Sequence, residues 1–262
     1  MKFFDKKIKI QEYNISSKKI IIPIRIALVT DIHSEEYGKN GEELISAVIN
    51  GKPDILLLGG DICDKRFPKE NAEHFLFEVS RKIPSFMIMG NHDFDFAGTG
   101  YVENLMYEED IPILSGESRT IKIKDNDINI CGLSDIKGFK CEHSNRCDHN
   151  KWEEALDSLN NVHKNGNYTI FMSHRPEKVK KYLGRGFDLI VCGHAHGGQW
   201  IWPGVINGLY APGQGIFPRY AGGRYDFENE TMIVSRGLAQ HTTWVPRIMN
   251  PSEVVLINVD PE

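Results

Sequence analysis

No stretch of this 262-residue chain approaches the ~20 consecutive apolar residues that a membrane-spanning helix needs. The longest candidate, IIIPIRIALV at 20–29, is broken by Pro23 and Arg25. The opening MKFFDKKIKIQEYN lacks the apolar core of a signal peptide, so export is not expected. Cysteine is sparse: there are five, an odd number, and Cys63, Cys131 and Cys192 sit in apolar runs that read as strands. That usage argues against a disulfide framework and points to a reducing cytoplasm. Positive charge is also short. A formal net charge of -5 gives no long-range pull toward phosphate backbones, so long nucleic acid is not an expected partner. The one basic cluster is N-terminal (Lys2, Lys6, Lys7, Lys9, Lys18, Lys19), and its loose spacing reads as a solvated face, with peripheral contact to a membrane surface as the alternative. There is no internal repeat, low-complexity tract or linker-like stretch.

What is present has the composition of a soluble globular protein, 26% charged and 40% hydrophobic. Short continuous apolar runs recur at 25–30 (RIALVT), 54–59 (DILLLG), 85–90 (SFMIMG), 169–173 (TIFMS) and 188–193 (DLIVCG). Runs of this length suit strands covered on both faces. Between them GEELISAVIN, NAEHFLFEVSRK and KWEEALDSLNNVHK read as amphipathic helices, which implies crossover units. A second group at 119–124, 127–133, 231–237 and 252–259 alternates more like antiparallel strands. The expected fold is an α/β class protein, a layered α/β/β/α sandwich of two mixed sheets flanked by helices, forming one domain over residues 1–262. Segments 139–151 and 197–223 are expected to be loops beside the site, since a long irregular loop in a compact domain is more often functional than a linker.

Each continuous run ends in the same chemistry. After 25–30 come Asp31 and His33; after 54–59 come Asp61 and Asp64; after 85–90 come Asn91, His92 and Asp93; after 169–173 comes His174; after 188–193 come His194 and His196. Groups at the carboxyl ends of neighbouring strands converge on one crevice, so residues far apart in sequence meet there. Carboxylate, imidazole and amide oxygen without thiolate suit Mn, Fe, Zn or Co, and the oxygen share is too small for calcium. Seven ligands exceed the needs of one ion. Two ions roughly 3.5–4 Å apart and bridged by a carboxylate would use them all.

The ordered set DIH (31–33), GDICD (60–64), GNHD (90–93), SH (173–174) and GHAH (193–196) resembles the calcineurin-like metallophosphoesterase superfamily. The later HGGQ, YAGGRY, VSRGL and VPRIMNPSEVVLINV are similar to a bacterial phosphodiesterase branch of it, some of whose members act on lipid-linked or nucleotide-sugar diphosphates. The resemblance implies that Asp31, His33 and His196 hold one metal, that Asn91, His174 and His194 hold the second, and that Asp61 bridges them. It further implies that His92 stands beside the scissile phosphate as a non-ligand, with Asp64 accepting a hydrogen bond from its ring. Two divalent ions, manganese foremost, would lower the pKa of a shared water and supply hydroxide as nucleophile, while His92 would stabilise the transition state or protonate the leaving oxygen. The implied activity is a phosphodiesterase or diphosphate hydrolase acting on a small-molecule or lipid-linked phosphate ester. A nuclease, a phosphomonoesterase and a non-catalytic interaction scaffold are the alternatives.

Weaker signals surround this set. Arg175 and Arg236, and less specifically Arg247, offer guanidinium groups that match a second phosphate or a carboxylate. Cys141, His143, Cys147 and His149 match no usual Cys/His finger spacing and read as a loop rather than a structural zinc site. Trp200, Trp202, Phe217, Tyr220 and Trp244 suit either an aromatic wall for a base, sugar or acyl chain or a C-terminal core.

Overall fold

The computed structural model describes residues 7–96, 100–142, 144, 146–240 and 246–262. In chain order the elements are β1 (Lys9–Ser17), β2 (Ile24–Val29), α1 (Glu42–Asn50), β3 (Ile55–Leu58), α2 (Lys69–Ser80), β4 (Ser85–Met87), α3 (Tyr101–Glu108), β5 (Glu117–Ile123) and β6 (Asn126–Leu133). They continue with α4 (His149–Asp157), β7 (Tyr168–Ser173), α5 (Val179–Tyr182), β8 (Leu189–Cys192), β9 (Tyr210–Ala211), β10 (Gly215–Ile216), β11 (Gly223–Asp226), β12 (Thr231–Val234) and β13 (Glu253–Pro261). One sheet has the order β1-β13-β2-β3-β4 and the other β11-β12-β8-β7-β6-β5, with β9 and β10 forming a separate two-stranded ribbon.

The apolar runs are continuous because each central strand is covered on both faces. In β2, Ile24, Ile26 and Leu28 enter the layer between the sheets, where they meet Ile130, Ile170, Met172 and Val191 from the second sheet. Ala27 and Val29 face outward onto a layer with Leu44 and Val48 of α1 and Phe75, Leu76 and Val79 of α2. The second sheet sends Cys131, Phe171, Ile190, Cys192 and Met232 outward onto Trp152 and Leu156 of α4 and Tyr182 of α5. Helix, sheet, sheet, helix is the expected layering.

Three expectations need correction. The alternating group is not uniformly antiparallel: β6 pairs parallel with β7, β12 with β8 and β13 with β1, and each takes its antiparallel partner on the other side. These strands are buried on both faces, so their polar residues carried a false period of two. Cys63 lies in the buried turn after β3, not in a strand. Residues 197–223 are only partly irregular, because a bridge between Trp202 and Ile206 and the β9–β10 ribbon fold them back. Strand β1, mostly exposed at a sheet edge, and helix α3 carried no reading from sequence.

Candidate metal centre

β2, β3 and β4 of one sheet and β7 and β8 of the other end at the same edge of the sandwich, and the five turns that follow interlock. Beyond the strands the backbone ladder continues: Asp31 N–H donates to Gly60 O at 2.9 Å, His33 N–H to Asp61 O at 3.0 Å, and Gly193 N–H to His174 O at 3.2 Å. Asp31, His33, Asp61, His194 and His196 all have positive φ, between 47° and 67°. Non-glycine residues rarely adopt this region, and it costs of order 1–3 kcal/mol each unless the surroundings enforce it. Here the strained backbone turns the polar side chains toward one point.

The side chains converge as the chain order suggests. Ligand atoms of Asp31, His33 and His196 lie within 4.8 Å of one another, as do those of Asp61, His174 and His194, and of His33, Asp61 and His92. Asp61 is central: its Oδ2 lies 3.2 Å from His174 Nε2 and 3.6 Å from His33 Nε2, while its Oδ1 accepts the His92 amide at 2.7 Å. His194 Nδ1 stands 3.2 Å from His174 Nε2, and the His194 amide donates to Asp31. Asp61 Oδ2, His33 Nε2, Asn91 Oδ1 and His196 Nδ1 are buried and make no hydrogen bond among the described residues. A buried polar atom without a partner is costly, and four of them on residues that follow neighbouring strand ends fit the coordination of divalent cations. His174 is oriented from behind, since its Nδ1 lies 2.8 Å from Gly59 O and leaves Nε2 directed inward.

The charges respond to this crowding. For His174, burial would lower the pKa, but the carboxylates of Asp61 and Asp31 outweigh it and push it up to about 10. Burial raises the carboxyl pKa of Asp31, and Asp61 adds to the rise. Asp61 also loses solvation, yet the charges of His174 and His33 hold it well below the usual carboxylate range. His194 and His196 are held well below their ordinary value, chiefly by burial and then by the neighbouring imidazoles of His174 and His33 respectively.

The remaining expected residues fall in three places. His92 is at the mouth, 36% exposed, with Nδ1 2.9 Å from Asp64 Oδ2. Arg175 reaches the same edge: its Nη1 is 3.4 Å from His194 Nε2 and its guanidinium forks onto Asp135. Arg236 instead donates to Asn207 Oδ1 at 2.7 Å, and Arg247 is buried with its N–H groups on the carbonyls of Ala239, Arg236 and Gly237. Cys141, Cys147 and His149 join no potential metal cluster among the described residues, and His143 lies outside them, as do Trp244, Lys2 and Lys6. Tyr220 is 9% exposed, whereas Trp202 and Phe217 are 66% and 64% exposed.

Several supporting residues carried no role in the sequence reading. Asp93 is buried and accepts the amides of Asp61, Ile62, Cys63 and Gly90 at 2.7–3.0 Å, tying the turns after β3 and β4 together. Asp135 follows β6 as Asp31 follows β2, and this strand-end position was a usable signal. Asn250 donates to the carbonyls of His196 and Gln199 from 51 or more residues away, and nothing local in the sequence marks it.

A family model described as calcineurin-like phosphoesterase matches residues 24–198. An uncharacterized metallophosphoesterase from Aquifex aeolicus is 25% identical over 260 residues, covering 96% of this chain and 92% of its own length. The phosphodiesterase YaeI of Escherichia coli is 24% identical over 225 residues, 82% of this chain and 75% of its own. Among solved structures, TT1561 of Thermus thermophilus superimposes with a TM-score of 0.55 at 11% identity, covering 83% of this chain and 91% of that one. A 5'-nucleotidase precursor from the same organism gives 0.55 at 15% identity over 84% of this chain, which spans only 50% of it. At these identities the structural likeness shows the fold.

Proposed function

The chain belongs to the calcineurin-like phosphoesterase family, hydrolases of phosphate esters, and from that premise we propose that it is a two-metal phosphodiesterase or diphosphate hydrolase. The observation that carries this reading is the pair of potential ligand clusters, Asp31 with His33 and His196 and Asp61 with His174 and His194, together with buried unpartnered atoms on His33, Asp61, Asn91 and His196. In this reading Asp31, His33 and His196 would hold one ion, Asn91, His174 and His194 would hold the other, and Asp61 would serve both. When bound, the ions lower the pKa of a water and neutralise phosphoryl oxygens. Manganese is our first choice, and iron, zinc or cobalt suits the same ligands.

The chain's own groups do the rest. His92 stands at the mouth, and with Nδ1 against Asp64 its Nε2 is free to hold the proton that the leaving oxygen needs. Hydrogen bonding to Asp64 raises its pKa, against the effect of burial, which favours the protonated ring. Arg175, held in plane by Asp135, presents a guanidinium to phosphoryl oxygens. Arg236 would serve a distal group of the substrate only after leaving Asn207.

Diester or diphosphate chemistry is supported by the similarity to a relative named phosphodiesterase. Within that class an apolar groove of about 490 Å³, lined by Trp200, Ile201, Trp202, Ile206, Leu209 and Ile248, supports a substrate with an apolar portion, as in a lipid-linked ester. Residues 197–218 contain no Asp, Glu, Lys or Arg, and the groove wall is bonded to the His196 turn through Ile248 N–H to Gln199 O. No helix among the described residues is long and apolar enough to cross a membrane. All five cysteines are free, in keeping with a cytoplasmic setting.

The test is metal-stripped protein reloaded with Mn²⁺ and assayed on a bis-aryl phosphodiester and the matching aryl monoester, with His92→Ala as control. Diester preference that collapses in the variant supports the reading. Monoester preference makes the protein a phosphatase, preference for oligonucleotides a nuclease, and inactivity with no bound metal a scaffold.

A further inference from the structure

One carboxylate serves two imidazoles at this site. Asp64, 1% exposed, accepts the backbone N–H and the Nε–H of Arg66 on Oδ1, each at 2.9 Å. Its Oδ2 takes a second N–H from the Arg66 guanidinium, lies 2.8 Å from His33 Nδ1, and lies 2.9 Å from His92 Nδ1. The two rings are neighbours, 4.6 Å apart at an interplanar angle of 74°. An ionised carboxylate only accepts hydrogen bonds, so each ring meets it with Nδ1–H. Both Nε2 atoms then turn away from Asp64: that of His33 is buried and unpartnered beside Asp61, and that of His92 faces the mouth.

The two rings engage only Oδ2 and the backbone N–H of Arg66 makes one bond to Oδ1, which leaves the plane of the carboxylate free to tilt about its Cβ–Cγ bond. The guanidinium fork removes that freedom, because its parallel N–H groups engage both oxygens in one plane. We propose that Arg66 is a positioning residue which, by fixing the plane of Asp64, sets the tautomer and orientation of His33 and His92 together. A candidate metal ligand and the group facing the leaving oxygen are thus aligned by one cation outside both. Lysine, a point charge without the fork, does not replace it. The side chain is 36% exposed, so its removal opens a space that free guanidinium can enter from solvent.

The consequence for turnover rests on the two-metal reading, but the tautomer statement does not, and the experiment reads both. Full-length ¹⁵N-histidine protein, metal-free and alkaline enough for neutral imidazoles, reports which ring nitrogen carries the proton. The unaltered protein shows Nδ1–H at His33 and His92. In Arg66→Ala both rings lose that form together, low non-denaturing guanidinium restores it, and Arg66→Lys stays with the alanine variant. In Mn²⁺-loaded protein Arg66→Ala lowers kcat on the bis-aryl diester about tenfold with KM little changed, and guanidinium recovers kcat. If the alanine variant does not fold, Arg66→Met, which keeps the aliphatic stem, is read in its place. Retention of Nδ1–H at both rings, a change at only one, an effect confined to KM, or no response to guanidinium overturns the proposal. An unaltered protein that hydrolyses nothing, yet shows the paired tautomer change, leaves the proposal standing and removes the phosphodiesterase reading.

Discussion

Proton and metal compete for one nitrogen at His174. Its Nδ1 is engaged by Gly59 O, so the proton that Asp61 and Asp31 stabilise sits on Nε2, the atom directed into the cluster. A pKa pushed up to about 10 means that metal-free protein carries this proton at neutral pH, and metal uptake must expel it. Calorimetry at about pH 8 in buffers of different ionisation enthalpy should therefore show about one proton released per chain loaded. Uptake without release would contradict the assignment. Because the folded pKa exceeds the ordinary 6.5, the stabilisation from this proton is complete below 6.5 and is lost as pH rises through about 10. Metal-free protein should accordingly melt at progressively lower temperature across that window. At His92, replacement by alanine should cut kcat about 10²–10⁴-fold and leave the number of bound ions unchanged, which metal analysis of the same sample checks. The candidate ligand residues were legible because each is a rare polar group just after an apolar run. Asp64 was legible as a partner of His92, but its bond to His33 and its Arg66 fork were not, since no spacing rule links 33, 64 and 66.

Among elements, the turns after β3 and β4 act as a unit. A Cβ on Gly90 would come within 2.2 Å of Asp61 Oδ1 and 2.5 Å of its amide, so Gly90→Ala should displace Asp61 and weaken metal binding without breaking either strand. The expected result is a reduced metal affinity, read by competition with a chelator, with an unchanged far-ultraviolet spectrum. Asp93→Ala strands four buried amides and should lower stability by roughly 3 kcal/mol or more, measured as a fall in denaturant midpoint. A loss within about 0.5 kcal/mol would show that the amides find other partners. The strand ends could be read from local pattern. The carboxylate that holds the turns from below could not, because Asp93 looks like one more candidate ligand until the amides around it are seen.

For the whole molecule, two sheets share the work: β2, β3 and β4 deliver Asp31, His33, Asp61, Asn91 and His92, and β7 and β8 deliver His174, His194 and His196. The layering was legible because buried parallel strands are continuous and helices periodic. The edges were not, since β1 is too polar to read as a strand, and the partly exposed fold-back between His196 and β11 follows bonds to distant residues such as Asn250. If the groove beside that fold-back receives an apolar tail, lengthening an alkyl ester should lower KM by up to about fourfold per methylene until the groove is filled, and Trp202→Ala should flatten the trend. Two ions acting together make the site a phosphoesterase in this reading, and diester turnover followed against Mn²⁺ bound per chain, in a stepwise titration of stripped protein, tests it. We predict negligible turnover up to one ion and a steep rise as the second binds. Full activity at one ion, or two ions bound with no hydrolysis of any phosphate ester, would contradict it.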